Sequence, residues 1–245
     1  MPSSTDATAA SVHVYPDLDG LSRAAAEHIV SHVRRVTARS DRYTLALAGG
    51  STPQRLYTLL ADLDPSILPW DRIHVFWGDE RFVPPSHEKS NVTMARRTLI
   101  DQVDIPASNV HPIPTDRKAK DAASEYATTL HKAVGDSDHT FDLCLLGLGS
   151  DGHTASLFPE NEPSVDDPKW VRVVDAPRRH DIATRITCTL PVLNQSAQCL
   201  FLVSGERKHE AVRAVLDDRD PAKPATHVHP QERCLWFLDE AARGH

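Results

Sequence analysis

Residues 141–154 have the sequence FDLCLLGLGSDGHT, in which an apolar run is followed by a glycine-rich turn. Their first six residues form a nearly continuous apolar run, which is typical of a strand covered on both faces in a parallel sheet. Gly147, Gly149 and Gly152 end this run, and the polar residues Asp151 and His153 follow in the same turn. Since ligands bind beyond the carboxyl ends of parallel strands, this stretch predicts a buried strand with a site at its end.

Short apolar runs alternate with amphipathic stretches on both sides of this segment. Apolar residues recur every three or four positions over residues 18–38, which predicts a helix. Residues 43–48 predict a strand, which Gly49, Gly50 and Ser51 end, and Thr52 is the expected cap of the next helix. Further strands are predicted at 12–15, 72–77, 170–174, 185–190, 199–203 and 234–238, and further helices at 90–101, 119–134 and 206–216.

This alternation predicts an α/β fold in which a mainly parallel sheet is covered by helices on both faces, a Rossmann-like three-layer arrangement. The sequence contains no repeat, no low-complexity tract and no long linker. We therefore expect a single domain over residues 12–245, preceded by a disordered or weakly ordered segment over residues 1–11.

The composition is that of an ordinary globular protein, with 40% hydrophobic and 25% charged residues. A formal net charge of -7 argues against a general nucleic-acid binder, although a pocket can be locally positive on an acidic protein. All four cysteines lie in apolar runs without CxxC spacing, which favours buried free thiols and a reducing compartment. The sequence shows no signal-peptide pattern and no apolar run of about 18 residues, so we expect a cytoplasmic protein without membrane contact.

The loop AGGSTP at 48–53 is the first of four loops that follow predicted strands. Two glycines allow a sharp turn and a close approach to a ligand, and the helix behind them offers unpaired N–H groups, so the loop suits a phosphate. The alternative is a tight strand-to-helix turn without a ligand. The loop lacks the lysine of a Walker motif, so nucleotide hydrolysis is not supported.

Charged residues cluster in two further loops, WGDERFVP at 77–84 and SGERK at 204–208. Arg81 could clamp a phosphate through its planar guanidinium, and Asp79 could accept hydrogen bonds from sugar hydroxyls. Lys208 would add a cation at the same edge of the sheet. The alternative for each loop is a solvated surface, with ion pairs among its own charges.

The glycines of residues 147–152 match the GxGxxG pattern of dinucleotide sites, but that interpretation requires a helix to open at the third glycine. Pro159 and Pro163 follow too closely for an ordinary crossover helix, so we reject it. His153 is instead the side chain best suited to exchange protons near neutral pH. A structural role is the usual alternative for a single histidine.

The segments AGGSTP, FWGDERFVP with Ser90-Asn91, LLGLGSDGHTASLFP, RIT at 185–187 and SGERK resemble those of the 6-phosphogluconolactonases. The likeness extends from about residue 12 to WFLDEAA near the C-terminus. It implies hydrolysis of 6-phospho-D-glucono-1,5-lactone to 6-phosphogluconate in the oxidative pentose phosphate pathway, without metal or cofactor. The implied partner is a small sugar phosphate rather than nucleic acid or a membrane, and a monomer is the default expectation.

The resemblance also implies roles for particular residues. His153 would be the general base, with Asp151 beside it, and Arg185 or backbone N–H groups would stabilise the oxyanion. No GxSxG elbow is present, so water rather than a serine would attack the lactone. The residues expected to bind the phosphate are Gly49, Gly50, Ser51, Thr52, Arg81 and Lys208, and further pocket members are Asp79, Asn91 and Arg185.

Two other functions are compatible with the same type of fold. Glucosamine-6-phosphate deaminases share the DGH element but carry a glutamate five residues beyond its histidine, where this chain has Phe158, and an MDEY pattern in place of GDERF. A sugar-phosphate sensor of a transcription regulator would need an added helix-turn-helix and a basic face. We expect neither.

Overall fold

The computed structural model describes residues 10–135 and 137–244 and has a six-stranded parallel sheet at its centre. The strands are β1 (Ser11–Tyr15), β2 (Tyr43–Leu47), β3 (Ile73–Trp77), β4 (Asp79–Arg81), β5 (Leu143–Leu146), β6 (Val171–Asp175), β7 (Thr184–Cys188), β8 (Gln198–Val203) and β9 (Arg233–Asp239). The central sheet has the order β1-β9-β8-β5-β2-β3, and all its neighbouring strands are parallel. The predicted fold class is confirmed.

The α-helices are α1 (Leu18–Thr37), α2 (Ser51–Ala61), α3 (Asn91–Thr98), α4 (Ala119–Val134), α5 (Leu190–Asn194), α6 (His209–Val212) and α7 (Glu240–Arg243). In α1, Asp17 caps the helix by accepting a hydrogen bond from the N–H of Gly20 at 2.8 Å. One face of α1 is buried, and its apolar side chains join the core cluster that also contains strands β2, β5, β8 and β9.

Two buried tyrosines attach helices to the ends of strands that lead into the predicted loops. The Tyr57 hydroxyl on α2 accepts from the N–H of Ala48 at 2.9 Å and donates to its C=O at 2.8 Å. The Tyr126 hydroxyl on α4 makes the same pair of bonds to Trp77, at 2.9 and 2.8 Å. Each hydroxyl satisfies both backbone groups of a residue at the end of a strand, so the following loops start from fixed positions.

A second, three-stranded antiparallel sheet has the order β4-β7-β6. The strands predicted at 170–174 and 185–190 therefore belong to this sheet and not to the parallel one. The sequence gives no signal for β4, because its three residues, Asp79 to Arg81, are all charged. Gly78 carries the chain from β3 directly into β4, and its C=O accepts from the N–H of Cys188 at 2.8 Å.

Several predicted boundaries differ from the structure. Thr52 does not cap α2, because the helix already begins at Ser51 and its N-cap is Gly50, with φ of 104°. The helix predicted over 206–216 is divided into the 3-10 turn Glu206–Lys208, α6 and the π-helical turn Arg213–Asp217. Of the segment expected to be weakly ordered, residues 1–9 lie outside the described residues, and β1 begins at Ser11.

All four cysteines are buried free thiols, as predicted. Trp77 and Trp236 are core residues, whereas Trp170 precedes β6, is only partly buried and stacks on His131. No helix within the described ranges is long and apolar enough to cross a membrane.

Candidate active site

The loops after β2, β3, β5 and β8 open onto one cavity of about 280 Å³. The predicted site residues that line it are Gly49, Gly50, Asp79, Arg81, Asn91, His153, Arg185 and Lys208. Ser51 and Thr52 continue from the glycines into α2 without lining the cavity, and Asp151 lies behind His153. Residues far apart in sequence thus meet at the carboxyl edge of the sheet.

His153 and Asp151 form a hydrogen-bonded pair within the turn after β5. Nδ1 of His153 lies 2.5 Å from Oδ1 of Asp151, and both side chains are about 20% exposed. Burial acts to raise the pKa of Asp151, but the hydrogen bond and charge of His153, together with Arg179, hold that pKa well below its usual value. Because Asp151 engages Nδ1, the other ring nitrogen, Nε2, is the one available to a molecule in the cavity.

Gly149 makes room for this pair. A Cβ at this position would lie 2.0 Å from Nδ1 of His153 and 2.5 Å from Oδ1 of Asp151. The N–H of Gly149 also donates to the C=O of His153 at 2.8 Å, which closes the turn. The glycine pattern therefore has a specific cause here, the close packing of the histidine over the backbone.

The first glycine loop has the geometry of an anion site. Gly50 adopts a positive φ of 104° and has no side chain to occupy the N–H groups of the first turn of α2. A Cβ on Gly49 would lie 2.0 Å from Oδ1 of Asn91, so only glycine fits beside that amide. The backbone N–H groups and the positive end of the helix dipole are suited to a phosphate.

Three cations stand on the cavity wall. Nη1 of Arg81 donates to the C=O of Lys89 at 2.8 Å, and Nε of Arg185 donates to the C=O of Ile182 at 3.1 Å. Burial lowers the pKa of Arg185, with Asp79 acting in the opposite direction. Burial likewise lowers the pKa of Lys208, against the attraction of Asp151. The cavity therefore carries positive charge on a protein whose net charge is negative.

The two acidic residues of the segment GDER at 78–81 make different contacts. Asp79 lines the cavity, and its Oδ2 accepts from Oγ of Ser156 at 2.5 Å. Glu80 is buried and accepts from the backbone N–H groups of Asn91 and Val92, at 2.7 and 2.9 Å, so it caps α3. Burial raises the pKa of Glu80, although these hydrogen bonds oppose the shift. The alternative of a surface ion pair within this loop does not describe Asp79 and Glu80, which are both buried.

Two residues at this site that the sequence motifs do not predict lie in the loop between β6 and β7, at 176–183. The His180 ring lines the cavity, and its centroid lies 5.3 Å from that of His153. Arg179 pairs with Asp151 and Glu160. The polar sequence RRHD at 178–181 is a visible signal, but it follows β6 of the antiparallel sheet, whereas the four loops predicted to form the site all follow strands of the parallel sheet.

This corner contains three side chains of types that can bind a metal ion. Asp151, His153 and His180 bring potential ligand atoms within 4.8 Å of one another, and no other such group occurs in the described part of the chain. However, Asp151 is already bound to His153 and to Arg179, so a cation here would displace one bond and stand beside a guanidinium. The arrangement favours a proton-transfer pair, and the expectation of a metal-independent site stays a prediction.

Known proteins resemble this chain over nearly its whole length. The family model for glucosamine-6-phosphate isomerases/6-phosphogluconolactonase matches residues 16–236. A 6-phosphogluconolactonase of Nostoc sp. is 39% identical over 237 residues, which cover 94% of this chain and 96% of that protein. The solved 6-phosphogluconolactonase of Thermotoga maritima is 31% identical, with a TM-score of 0.83 over 94% of this chain and 99% of that one. A solved monomeric glucosamine-6-phosphate deaminase has the same TM-score of 0.83 at 21% identity, which shows a shared fold.

Proposed function

This chain belongs to the family of glucosamine-6-phosphate isomerases and 6-phosphogluconolactonases, and we propose that His153 is the general base with which it hydrolyses 6-phospho-D-glucono-1,5-lactone. The chain is a 6-phosphogluconolactonase by its similarity to enzymes of that name, and its product is 6-phosphogluconate. One observation carries the assignment of the base: the His153–Asp151 pair opens onto the same cavity as the glycine loop and Lys208.

We place the phosphate of the substrate at the first glycine loop. The N–H groups of Gly49, Gly50, Ser51 and Thr52 would donate to its oxygens. Arg81 and Lys208 stand on the same cavity wall and supply two positive charges for a dianionic group. Asp79 and Asn91 are polar groups of that wall and would bind the sugar hydroxyls.

The lactone end would then lie at His153. Nε2 takes a proton from water, and the hydroxide attacks the carbonyl carbon to form a tetrahedral oxyanion. Collapse breaks the bond to the ring oxygen, which receives the proton from the imidazolium, so the histidine is restored. Asp151 holds the ring through Nδ1 and stabilises the imidazolium. Arg185 is a partly desolvated cation that lines the same cavity as His153, and attraction for developing negative charge is strong in such a setting.

Deamination of glucosamine 6-phosphate is the alternative with the same fold. The position that would carry its glutamate holds Phe158, which is buried and whose ring lies 4.8 Å from that of His153. A hydrocarbon ring cannot transfer a proton, so we expect no ammonia release from glucosamine 6-phosphate. A sensor role has no specific observation in its favour.

The test compares His153→Gln, Lys208→Gln and the control His13→Gln, whose histidine is exposed on β1. After subtraction of spontaneous hydrolysis, His153→Gln should lower kcat by about 10²–10⁴-fold. Lys208→Gln should raise KM by at least about tenfold, since a charge-assisted hydrogen bond contributes roughly 1.5–3 kcal/mol. Wild-type kcat in His153→Gln would exclude this histidine as the base.

Two coarser expectations accompany this function. The first is a monomeric catalytic unit, which stays a prediction. The buried free thiols support a reducing compartment, and we propose the cytoplasm.

A further inference from the structure

We infer that Arg179, held by Glu160, is a positioning residue of the reaction: it shares Asp151 with His153 and thereby moderates how strongly Asp151 binds the protonated imidazole. This inference rests on the proposed role of His153. None of the motifs that identify the family contains Arg179 or Glu160.

The two oxygens of Asp151 have different partners. Oδ1 faces His153, accepting from its backbone N–H at 3.2 Å and lying 2.5 Å from Nδ1. Oδ2 accepts from Nη2 of Arg179. The same guanidinium donates through Nη1 to Oε1 of Glu160 at 2.6 Å. A chain of alternating charges thus runs from His153 through Asp151 and Arg179 to Glu160.

The loop that carries Arg179 is fixed at several points. Its base is closed by the N–H of Ala176, which donates to the C=O of Ala183 at 2.6 Å. Beyond Arg179, Asp181 pairs with Nζ of Lys89 at 2.8 Å. His180 lies between these two ion pairs, with its ring 4.9 Å from that of Phe158. The loop is therefore anchored on both sides of Arg179, which keeps the guanidinium beside Asp151.

Several other charged or titratable groups face this corner. On the 176–183 loop, His180 contacts His153 edge-on. Lys208, from the turn after β8, attracts Asp151, and Arg185, from β7, acts on His180. The aliphatic part of Lys223 packs against Gly152. Arg179 differs from these cations because it alone among them pairs with Asp151 in the described ranges.

The sign of the effect follows from this chain of charges. Arg179 neutralises part of the negative charge of Asp151 and repels a positive charge on His153. It therefore makes protonation of the imidazole less favourable. Glu160 partly neutralises Arg179, so it has the opposite and weaker effect through an exposed carboxylate. Removal of the Arg179 charge should therefore favour protonation of His153, and removal of the Glu160 charge should disfavour it. Mere mechanical support of the loop would produce no such reversal.

The experiment uses Arg179→Gln, Glu160→Gln and the control Arg178→Gln, which removes the same charge from the neighbouring exposed position. Two readouts are compared: the NMR titration midpoint of the His153 ring, and the acidic limb of kcat/KM against pH. The phosphate of the substrate titrates equally in all variants, so differences between them report on the protein.

Arg179→Gln should raise the midpoint and the acidic limb by roughly half a pH unit, reduced from a full unit because the side chain is 45% exposed. Its kcat at the plateau should fall by about three- to tenfold, because Asp151 loses one fixed contact, and Arg179→Lys should recover part of this loss. Glu160→Gln should lower the midpoint by a smaller amount, and Arg178→Gln should match the wild type.

Either of two results would overturn the inference. The first is an equal shift of the His153 midpoint in Arg179→Gln and Arg178→Gln. The second is a shift of the same sign in Arg179→Gln and Glu160→Gln. The ring titration needs no turnover, so it remains decisive even if His153→Gln proves fully active and the proposed base is wrong. Conversely, His153→Gln could be inactive while the midpoint in Arg179→Gln matches the wild type. That result would support His153 as the base and exclude Arg179 as a positioning residue.

Discussion

Replacement of Gly149 by alanine tests whether the reaction depends on the position of His153. The new Cβ would lie 2.0 Å from Nδ1 and 2.2 Å from Cε1 of the ring. The ring must therefore move by about 1.4 Å to reach an ordinary contact distance of 3.4 Å. Since a displacement of about 1 Å can cost about 10²-fold in rate, we expect Gly149→Ala to lose about two orders of magnitude in kcat.

The same substitution should have a modest effect on stability. His153 borders an open cavity, so its ring can yield toward that space, and the loss should stay near the lower end of the roughly 1–3 kcal/mol for overpacking. The rate is measured as proton release with a pH indicator, since hydrolysis forms a carboxylic acid, and the stability by urea unfolding.

Gly147→Ala is the matched control in the same turn, because a Cβ there meets nothing within 4 Å. Its kcat should stay within about threefold of the wild type, a change of less than roughly 1 kcal/mol in the barrier. KM is excluded from this comparison because Gly147 also lines the cavity. Wild-type kcat in Gly149→Ala, or equal losses in both variants, would refute the claim that the packed position of His153 matters.

Three further predictions concern the groups that support the site. Glu80→Ala should lower the free energy of unfolding by roughly 2–3 kcal/mol, measured by urea titration, because the N–H groups at the start of α3 lose their acceptor. Tyr57→Phe should cost roughly 1–3 kcal/mol and raise KM, because the backbone before the first glycine loop loses both its hydrogen bonds. Although burial opposes it, hydrogen bonds from His139 and Thr44 hold the pKa of Asp142 below its usual value. The stability from that carboxylate is thus present above about pH 4 and lost below it, so the deficit of Asp142→Asn in urea unfolding should shrink on acidification.

The sequence was sufficient to predict the parallel sheet and the loops at its edge, because both leave local signals. A run such as LCLL is readable as a buried strand, and the end of each parallel strand points to the same edge. The sequence alone therefore predicts that Gly49, Asp79, His153 and Lys208 lie close together. Their meeting in one cavity required only the topology.

The antiparallel sheet and the 176–183 loop could not be predicted in the same way. β4 consists of charged residues, and its strand conformation comes from pairing with the distant β7 rather than from local propensity. Arg179 acts through a partner 28 residues earlier, and no periodicity encodes that contact. Thr52 is not the cap that the sequence predicts, because the glycine before Ser51 already supplies the turn into α2.

The distribution of charge around the cavity suits a reaction that creates a charge. The substrate enters with its negative charge on the phosphate, and hydrolysis adds a carboxylate at the opposite end. In the proposed orientation the cations Arg81 and Lys208 face the phosphate, whereas the new carboxylate forms at His153, where the charged groups are Asp151 and Arg185. Asp151 is held by its hydrogen bond to His153, so it does not turn away as the charge develops. Arg185 attracts this carboxylate and Asp151 repels it, whereas the uncharged lactone group of the substrate is not repelled. The repulsion by Asp151 therefore favours release of the product after each turnover.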